Sequence, residues 1–145
     1  MYIKTRTNVY RLTYHLVWVT KYRKVIFNTP ERRQTLKDIL HTIAERNEIT
    51  IIEGEVVDDH IHLVVSFPPH HSISSVMKAL KGASAREWFK QFPETKQELW
   101  KGALWSGSYF ASTVGDVSKE VVLQYVQNQL TEYNQGRPRR DSSPG

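Results

Sequence analysis

The spacing of apolar residues switches between the period of a strand and the period of a helix. Along the chain it predicts the elements strand, helix, strand, strand, helix and strand, in that order. This order restricts the fold more than any other feature. Residues 9–20 are predicted to form a long strand, because apolar side chains recur at every second position, at Leu12, Tyr14, Leu16 and Trp18. Thr29-Pro30 then predicts a helix start, with threonine as the cap and proline in the first turn. The helix itself is indicated by apolar residues at helical spacing, namely Leu36, Ile39, Leu40 and Ile43.

The middle of the chain predicts a hairpin followed by a second helix. Residues 49–57 and 60–67 are typical of two strands joined by a turn at Asp58-Asp59, and Pro68-Pro69 ends the second of them. The helix is expected to begin near Ser72 or Ser74 and to end before Pro93.

The remainder predicts a fourth strand over residues 108–114, ended by Gly115, and a final helix over about residues 118–135. The order β-α-β-β-α-β predicts an α+β fold, a ferredoxin-like split βαβ antiparallel sheet with helices packed on it and one further C-terminal helix.

Composition narrows the chemistry that the chain can perform. The 145 residues contain no cysteine, which excludes disulfides, thiolate zinc sites and thiol nucleophiles. Twenty Lys and Arg against fifteen Asp and Glu give a formal net charge of +5, which favours a polyanionic partner such as nucleic acid. We predict a single domain over residues 1–135 and a flexible tail over residues 136–145, where Gly, Pro, Ser and Arg replace all apolar residues.

Neither a signal peptide nor a membrane span is indicated by the sequence. The first residues lack an apolar region, and no stretch approaches the roughly 18 apolar residues of a membrane span. We therefore expect a cytoplasmic protein with no membrane partner.

His60 and His62 form the first candidate site. Side chains two apart on a strand emerge on the same face, while Ile61 and Leu63 point the other way, toward the core. Two imidazoles on one face can bind one metal ion. Taken alone, the pair is equally typical of two histidines on a solvated or partly buried sheet face.

Tyr125 and Gln129 form the second candidate site. Residues four apart on a helix are neighbours on one face, so both side chains can reach one site. A phenol can act as a covalent nucleophile, and an amide oxygen can complete a metal shell. A phenol with a pKa near 10 is only about one part in a thousand ionised at pH 7, so this chemistry requires a nearby cation. Taken alone, the pair also suits the edge of an amphipathic helix.

Basic and aromatic residues cluster at several points and are typical of single-stranded nucleic-acid binding, in which aromatic faces stack on bases and cations contact phosphates. The clusters are Lys21-Tyr22-Arg23-Lys24, the second helix with Lys78, Lys81, Arg86 and Lys90, and the loop from Trp100 to Trp105. Tryptophans in so small a chain are more often part of the core. His70-His71 is predicted to lie in a loop.

Taken together and in order, these motifs resemble those of the single-tyrosine HUH transposases, small insertion-sequence enzymes that move DNA as single strands. The resemblance covers roughly residues 10–129. It includes Tyr14-His15-Leu16-Val17-Trp18, Asp59-His60-Ile61-His62-Leu63, Leu80-Lys81-Gly82-Ala83-Ser84-Ala85-Arg86, Ser108-Tyr109-Phe110, and Tyr125 with Gln129. The ordered set is far more specific than any one of its members.

The resemblance implies a role for each matching residue. His60 and His62 are the two histidines of the HUH motif, Gln129 is the third metal ligand and Tyr125, on the C-terminal helix, is the catalytic nucleophile. Asp59 is a candidate to orient one imidazole. DNA contacts are expected at Lys21, Arg23, Lys81 and Arg86.

The resemblance also implies a cofactor and partners. The metal is Mg²⁺ or Mn²⁺, although zinc also suits the ligand types, and no nucleotide cofactor is consumed. The substrate is single-stranded DNA with hairpins at the element ends. The protein is expected to be a homodimer in which the tyrosine helix of one subunit can complete the site of the other.

Two alternative functions are also compatible with the sequence. One is a non-catalytic single-stranded nucleic-acid-binding protein on the same kind of sheet, although the aromatic RNP1 pattern of RRM domains is not evident. The other is a domesticated relative acting on chromosomal repeats, or a replication-type HUH nickase, which would share the chemistry and differ in its DNA.

Overall fold

Four strands and two α-helices make up most of residues 11–99, 102–113 and 124–128, which are the residues that the computed structural model describes. The strands are β1 (Leu12–Val19), β2 (Thr50–Val57), β3 (His60–Phe67) and β4 (Phe110–Thr113), and the α-helices are α1 (Pro30–Arg46) and α2 (Ile73–Gln91). Two 3₁₀ helices, Lys21–Arg23 and Pro93–Glu98, lie in the connections, and residues 124–128 are helical.

The sheet has the strand order β2-β3-β1-β4, and all neighbouring strands are antiparallel. β3 therefore lies between β1 and β2, the two strands that α1 connects. This is the split βαβ arrangement that the sequence predicts. In the register of the two central strands, Val17 is opposite His62 and Val19 is opposite His60. Across the other edge of β1, Val17 is opposite Phe110.

Both helix starts lie where the capping residues predict them. The Thr29 side chain accepts a hydrogen bond from the Arg32 N–H at the start of α1, and Ser72 accepts one from Ser75 at the start of α2. Within the described part of the chain, no helix combines the length and apolar character needed to cross a membrane.

Three strands have boundaries that differ from the prediction. β1 covers Leu12–Val19 within the described residues rather than residues 9–20, because Arg11 is not paired in the sheet and Thr20 forms an isolated bridge with Trp105. β2 starts at Thr50 because the Ile49 N–H bonds back to the Ala44 carbonyl, which keeps Ile49 in the turn after α1. β4 starts at Phe110 because the Ser108 N–H donates to the Ser106 hydroxyl and the chain has not yet joined the sheet. The predicted Gly115 terminator, the ends of the final helix and the predicted tail lie outside the described residues.

The core fills the space between one sheet face and the helices α1 and α2. Its largest buried side chains include Trp18, Trp88, Phe27 and Phe67, and burying each contributes roughly 1.5–3 kcal/mol. Trp105 is also buried, and its indole N–H donates to the Ser84 hydroxyl at 3.0 Å. Trp105 thus belongs to the core and is not an exposed platform for a base, whereas Trp100 lies outside the described residues.

Candidate active site

The candidate site lies on the sheet face opposite the helices α1 and α2. Along β3, Ile61 and Leu63 are 0% and 2% exposed in the helix-covered core. His60 and His62 alternate with them and are only partly buried. The strand therefore holds both imidazoles on one face, as the two-residue spacing predicts.

His60 is oriented by Asp59. Its Nδ1 lies 3.0 Å from Asp59 Oδ1, while Asp59 Oδ2 accepts from Arg23 Nε at 2.8 Å and forms an ion pair with Arg23 Nη2 at 2.7 Å. Burial raises the pKa of Asp59, but the hydrogen bonds from His60 and Arg23 outweigh it and hold that pKa below its usual value. A carboxylate on Nδ1 leaves the lone pair of His60 on Nε2, which is the form in which an imidazole binds a metal.

His62 is paired with His15, which lies in one of the motifs of the family resemblance but for which no role is predicted. His62 Nε2 lies 3.2 Å from His15 Nδ1, and the two rings stack with centroids 5.5 Å apart. Burial, and then the neighbouring His15, lower the pKa of His62. The neutral imidazole is the metal-binding form, so the lowered pKa of His62 suits a divalent cation.

Acidic side chains border the same face. Glu55 is opposite His62 in the β2–β3 register, and Glu53 is opposite Val64. Together with Gly54, these residues line an open cavity of about 410 Å³ beside His62. The two carboxylates add negative charge next to the imidazoles, which further favours a bound cation.

Tyr125 lies on this face through the helical segment of residues 124–128. Val126 is buried against Val17, the residue opposite His62 in the sheet. The Tyr125 ring lies 5.7 Å from that of Phe110, and its hydroxyl lies 3.3 Å from Ser108 Oγ. The structure thus brings the tyrosine segment onto the histidine face, while Gln129 lies outside the described residues.

Arg23 connects the histidine strand of the site with the helical segment that carries Tyr125. Besides its bonds to Asp59, its Nη1 donates to the Val126 carbonyl at 2.7 Å, and its side chain is only 12% exposed. One guanidinium therefore contacts both the carboxylate that orients His60 and the helical segment that carries Tyr125. Sequence reasoning treats Arg23 as a DNA contact and misses this bridge.

Two other predicted DNA contacts, Lys81 and Lys21, lie beside the backbone of residues 106–108 and beside the Tyr22 ring, respectively. Lys81 Nζ donates to the carbonyls of Ser106 and Ser108 at 2.7 and 3.1 Å, and burial lowers its pKa. Lys81 therefore holds the backbone next to the Ser108 hydroxyl that contacts Tyr125. The Lys21 ammonium lies 5.3 Å from the centre of the Tyr22 ring.

A groove of about 690 Å³ lies between α2 and residues 102–106. Arg86, Lys90 and Lys96 supply positive charge, and Phe89, Ala85 and Leu104 supply apolar surface. Charged rims over apolar floors suit the phosphates and bases of an unpaired strand. Because Lys81 also lines it, the groove adjoins the backbone near Tyr125.

Known proteins similar to this chain are transposases. A family model described as "Transposase IS200 like" matches residues 8–129. The ISDra2 transposase TnpA of Deinococcus radiodurans is 43% identical over 126 residues, covering 87% of this chain and 89% of that protein. The transposase for insertion sequence element IS200 of Salmonella typhimurium is 33% identical over 132 residues, covering 91% and 86%.

Two solved structures are similar to this fold. A crystal structure of a transposase candidate from Deinococcus radiodurans R1 has a TM-score of 0.80 and 44% identity, covering 88% of this chain and 97% of that chain. A REP-associated tyrosine transposase bound to a REP hairpin has a TM-score of 0.53 and 14% identity, covering 90% and 72%.

Proposed function

This chain belongs to the family of IS200-like transposases, and from that premise we propose that it cleaves and rejoins single-stranded DNA through a covalent link to Tyr125. One observation carries the proposal. Arg23 bonds both to Asp59, which orients His60, and to the helical segment of Tyr125. The proposed metal ligand and the proposed nucleophile are thereby connected on one face of the sheet.

The proposed reaction is a pair of phosphoryl transfers. The Tyr125 hydroxyl oxygen attacks the scissile phosphorus, and the bond from phosphorus to the 3′ oxygen breaks. The phenolic proton is replaced by the new P–O bond, and a proton ends on the leaving 3′ oxygen. In the second transfer a 3′-hydroxyl attacks the 5′-phosphotyrosine, which rejoins DNA and restores the phenol. The bond energy is retained in the phosphotyrosine, so no nucleotide cofactor is needed.

His60, His62 and Gln129 are the residues that would hold a divalent metal. The metal, Mg²⁺ or Mn²⁺, would supply Lewis-acid activation of the phosphate. The chain's own contribution is orientation: Asp59 directs the His60 lone pair, and His15 borders His62. Ser108, held through its carbonyl by Lys81, supplies a hydroxyl beside the phenol oxygen of Tyr125.

Single-stranded DNA with hairpins at the element ends is the proposed substrate. The groove lined by Lys81 and Arg86 offers cations for the backbone and apolar surface for unstacked bases. The similar fold in complex with a REP hairpin supports a hairpin-containing ligand. Lys21, beside Tyr22, is proposed as a further phosphate contact.

The test is incubation of the protein with single-stranded oligonucleotides from the flanks of its own gene, with Mn²⁺, Mg²⁺ or EDTA. We expect a protein–DNA adduct on a denaturing gel that requires the metal and is absent in Tyr125→Phe. The Tyr125→Phe protein should still bind the oligonucleotide in a mobility-shift assay. Binding of hairpin-containing flanks with no adduct would contradict the proposal and favour a protein that only binds nucleic acid.

We further propose a homodimer in which the tyrosine helix can act in trans. A Tyr125→Phe subunit and a His60→Ala subunit are each expected to be inactive. Mixing them should restore cleavage if one subunit supplies the histidines and the other the tyrosine. Heterodimers that form but do not cleave would contradict sharing in trans while leaving the proposed chemistry intact.

A further inference from the structure

A second cluster of metal-ligating side chains lies outside the proposed active site. Glu48 is in the short connection between α1 and β2, and His70 and His71 are in the connection between β3 and α2. Nε2 of His71 lies 3.0 Å from Glu48 Oε1, and Nε2 of His70 lies 3.1 Å from the same oxygen. One ligand atom from each of the three residues lies within 4.8 Å of the other two.

This cluster is at the opposite end of β3 from His60. A strand rises about 3.3 Å per residue, so His60 and Phe67, the two ends of β3, are about 23 Å apart along it. His70 follows three residues beyond that end. A single ion cannot contact both groups, so the cluster is separate from the proposed catalytic metal.

The donor set determines which cation suits the cluster. Two imidazoles and one carboxylate are ligands typical of zinc, whereas Mg²⁺ prefers oxygen ligands and retains several waters. With metal–ligand bonds of about 2.0–2.1 Å, tetrahedral geometry places neighbouring ligand atoms about 3.3 Å apart. The two observed nitrogen–oxygen distances, 3.0 and 3.1 Å, need to lengthen by only a few tenths of an ångström.

The backbone that carries the three ligands is held in place. Arg11 Nη2 donates to the Glu48 carbonyl at 3.1 Å and to the Ser66 carbonyl at 2.8 Å, which ties this connection to the end of β3. Glu48 has a φ of 61°, a left-handed conformation that few side-chain-bearing residues adopt. On the other side, the His71 N–H bonds to the Pro68 carbonyl in a turn.

The charge state of the carboxyl also suits a cation. Hydrogen bonds from His71 and then His70 hold the pKa of Glu48 below its ordinary value, so the carboxylate is ionised at neutral pH. Each imidazole has its own Nε2 next to the same oxygen, Glu48 Oε1. A cation among these three atoms would replace two hydrogen bonds with three coordinate bonds and leave a fourth position for water. Each neutral imidazole would then carry its proton on Nδ1, which leaves the Nε2 lone pair for the metal.

We propose that Glu48, His70 and His71 bind one zinc-class divalent ion, independently of the catalytic metal. The ion would connect the α1–β2 connection to the β3–α2 connection. A ligand that binds only the folded protein raises its stability as the ligand concentration exceeds Kd. Zinc is therefore expected to raise the Tm of the protein through this cluster.

The test uses full-length protein without a histidine tag. His60→Ala/His62→Ala removes the proposed catalytic ligands and serves as the background. Co²⁺, a spectroscopic substitute for Zn²⁺, should give the visible absorption of a four-coordinate site in this background, saturating at one ion per chain. Adding His70→Ala/His71→Ala to this background should abolish the absorption band. Adding Glu48→Gln to the same background should weaken it.

His41→Ala provides the matched control, because His41 is an exposed histidine on α1, outside the cluster. This change should leave the Co²⁺ band and the Zn²⁺-induced rise in Tm unaltered. Circular dichroism would verify that each variant is folded. A background protein without the band, or a band that survives loss of both His70 and His71, would overturn the proposal. Because the background already lacks His60 and His62, neither result bears on the proposed DNA chemistry.

Discussion

The two faces of the sheet are built from the same strands but differ in the ionisable side chains that they carry. The face toward α1 and α2 is apolar, with Leu16, Trp18 and Ile61 fully buried. The other face carries the ionisable side chains His15, His60 and His62 beside the buried valines Val17 and Val19. Adjacent residues on β3 thus differ in role: Ile61 lies in the core and contributes to the free energy of folding, whereas its neighbours His60 and His62 are the proposed metal ligands.

The sharpest test of this division compares two neighbours. Ile61→Ala removes a fully buried side chain from the core and should lower the free energy of unfolding by about 2–5 kcal/mol. His60→Ala removes a hydrogen bond on the other face and should cost about 1 kcal/mol, yet it should abolish formation of the DNA adduct. Urea unfolding in EDTA gives the stabilities, and the adduct assay gives the activity.

The comparison can fail in a clear way. If the two substitutions lowered the free energy of unfolding equally, the histidine face would be part of the core and the division between the faces would be wrong. His60→Gln, which retains a polar side chain of similar length, controls for the loss of volume and should remain as stable as the original protein to within about 1 kcal/mol.

Arg23 tests how the polar face is held together. Arg23→Gln removes the ion pair to Asp59 and the bond to the Val126 carbonyl. Residues that orient a metal ligand typically change affinity or activity by about 10–100-fold when mutated. We therefore expect the cleavage rate at saturating DNA to fall by at least about tenfold, measured in single-turnover assays.

Lys21→Gln is the matched control for Arg23→Gln, because both change one basic residue of the same 3₁₀ helix. We expect Lys21→Gln to weaken DNA binding and to reduce its salt dependence by about one phosphate contact, with cleavage at saturating DNA unchanged. If Arg23→Gln instead behaved like Lys21→Gln, Arg23 would be a phosphate contact and the bridge to residues 124–128 would have no catalytic role.

Local features of the sequence predict much of this fold. β3 has the predicted ends, α1 starts after the predicted cap Thr29, and α2 starts after Ser72, one of its two predicted caps. These features are predictable because alternation, caps and prolines act within a few residues. The same alternation predicts that His60 and His62 share a face.

Contacts between distant parts of the chain could not be predicted in this way. His15 and His62 are 47 positions apart and meet only through the register of β1 on β3, and Arg23 and Val126 are 103 positions apart. Strand alternation does place His15 on the face of Val17 and Val19. Only the register of β1 on β3 shows that the face of β1 with His15 is the face of β3 with His62.

The smallest expected effect concerns the titration of His62 in metal-free protein. Burial, and then His15, lower its pKa in the folded state, so the unfolded chain, with a histidine pKa of about 6.5, binds a proton more readily. Stability should therefore fall as the pH drops through about 6.5, and the loss should level off below the folded-state pKa. Chemical denaturation in EDTA at pH 7.5 and 5.5 measures this slope. His62→Gln should flatten this dependence of stability on pH. His41→Gln, which changes a histidine on the exposed surface of α1, should leave it unaltered. An unchanged slope in His62→Gln would show that another group takes up the proton.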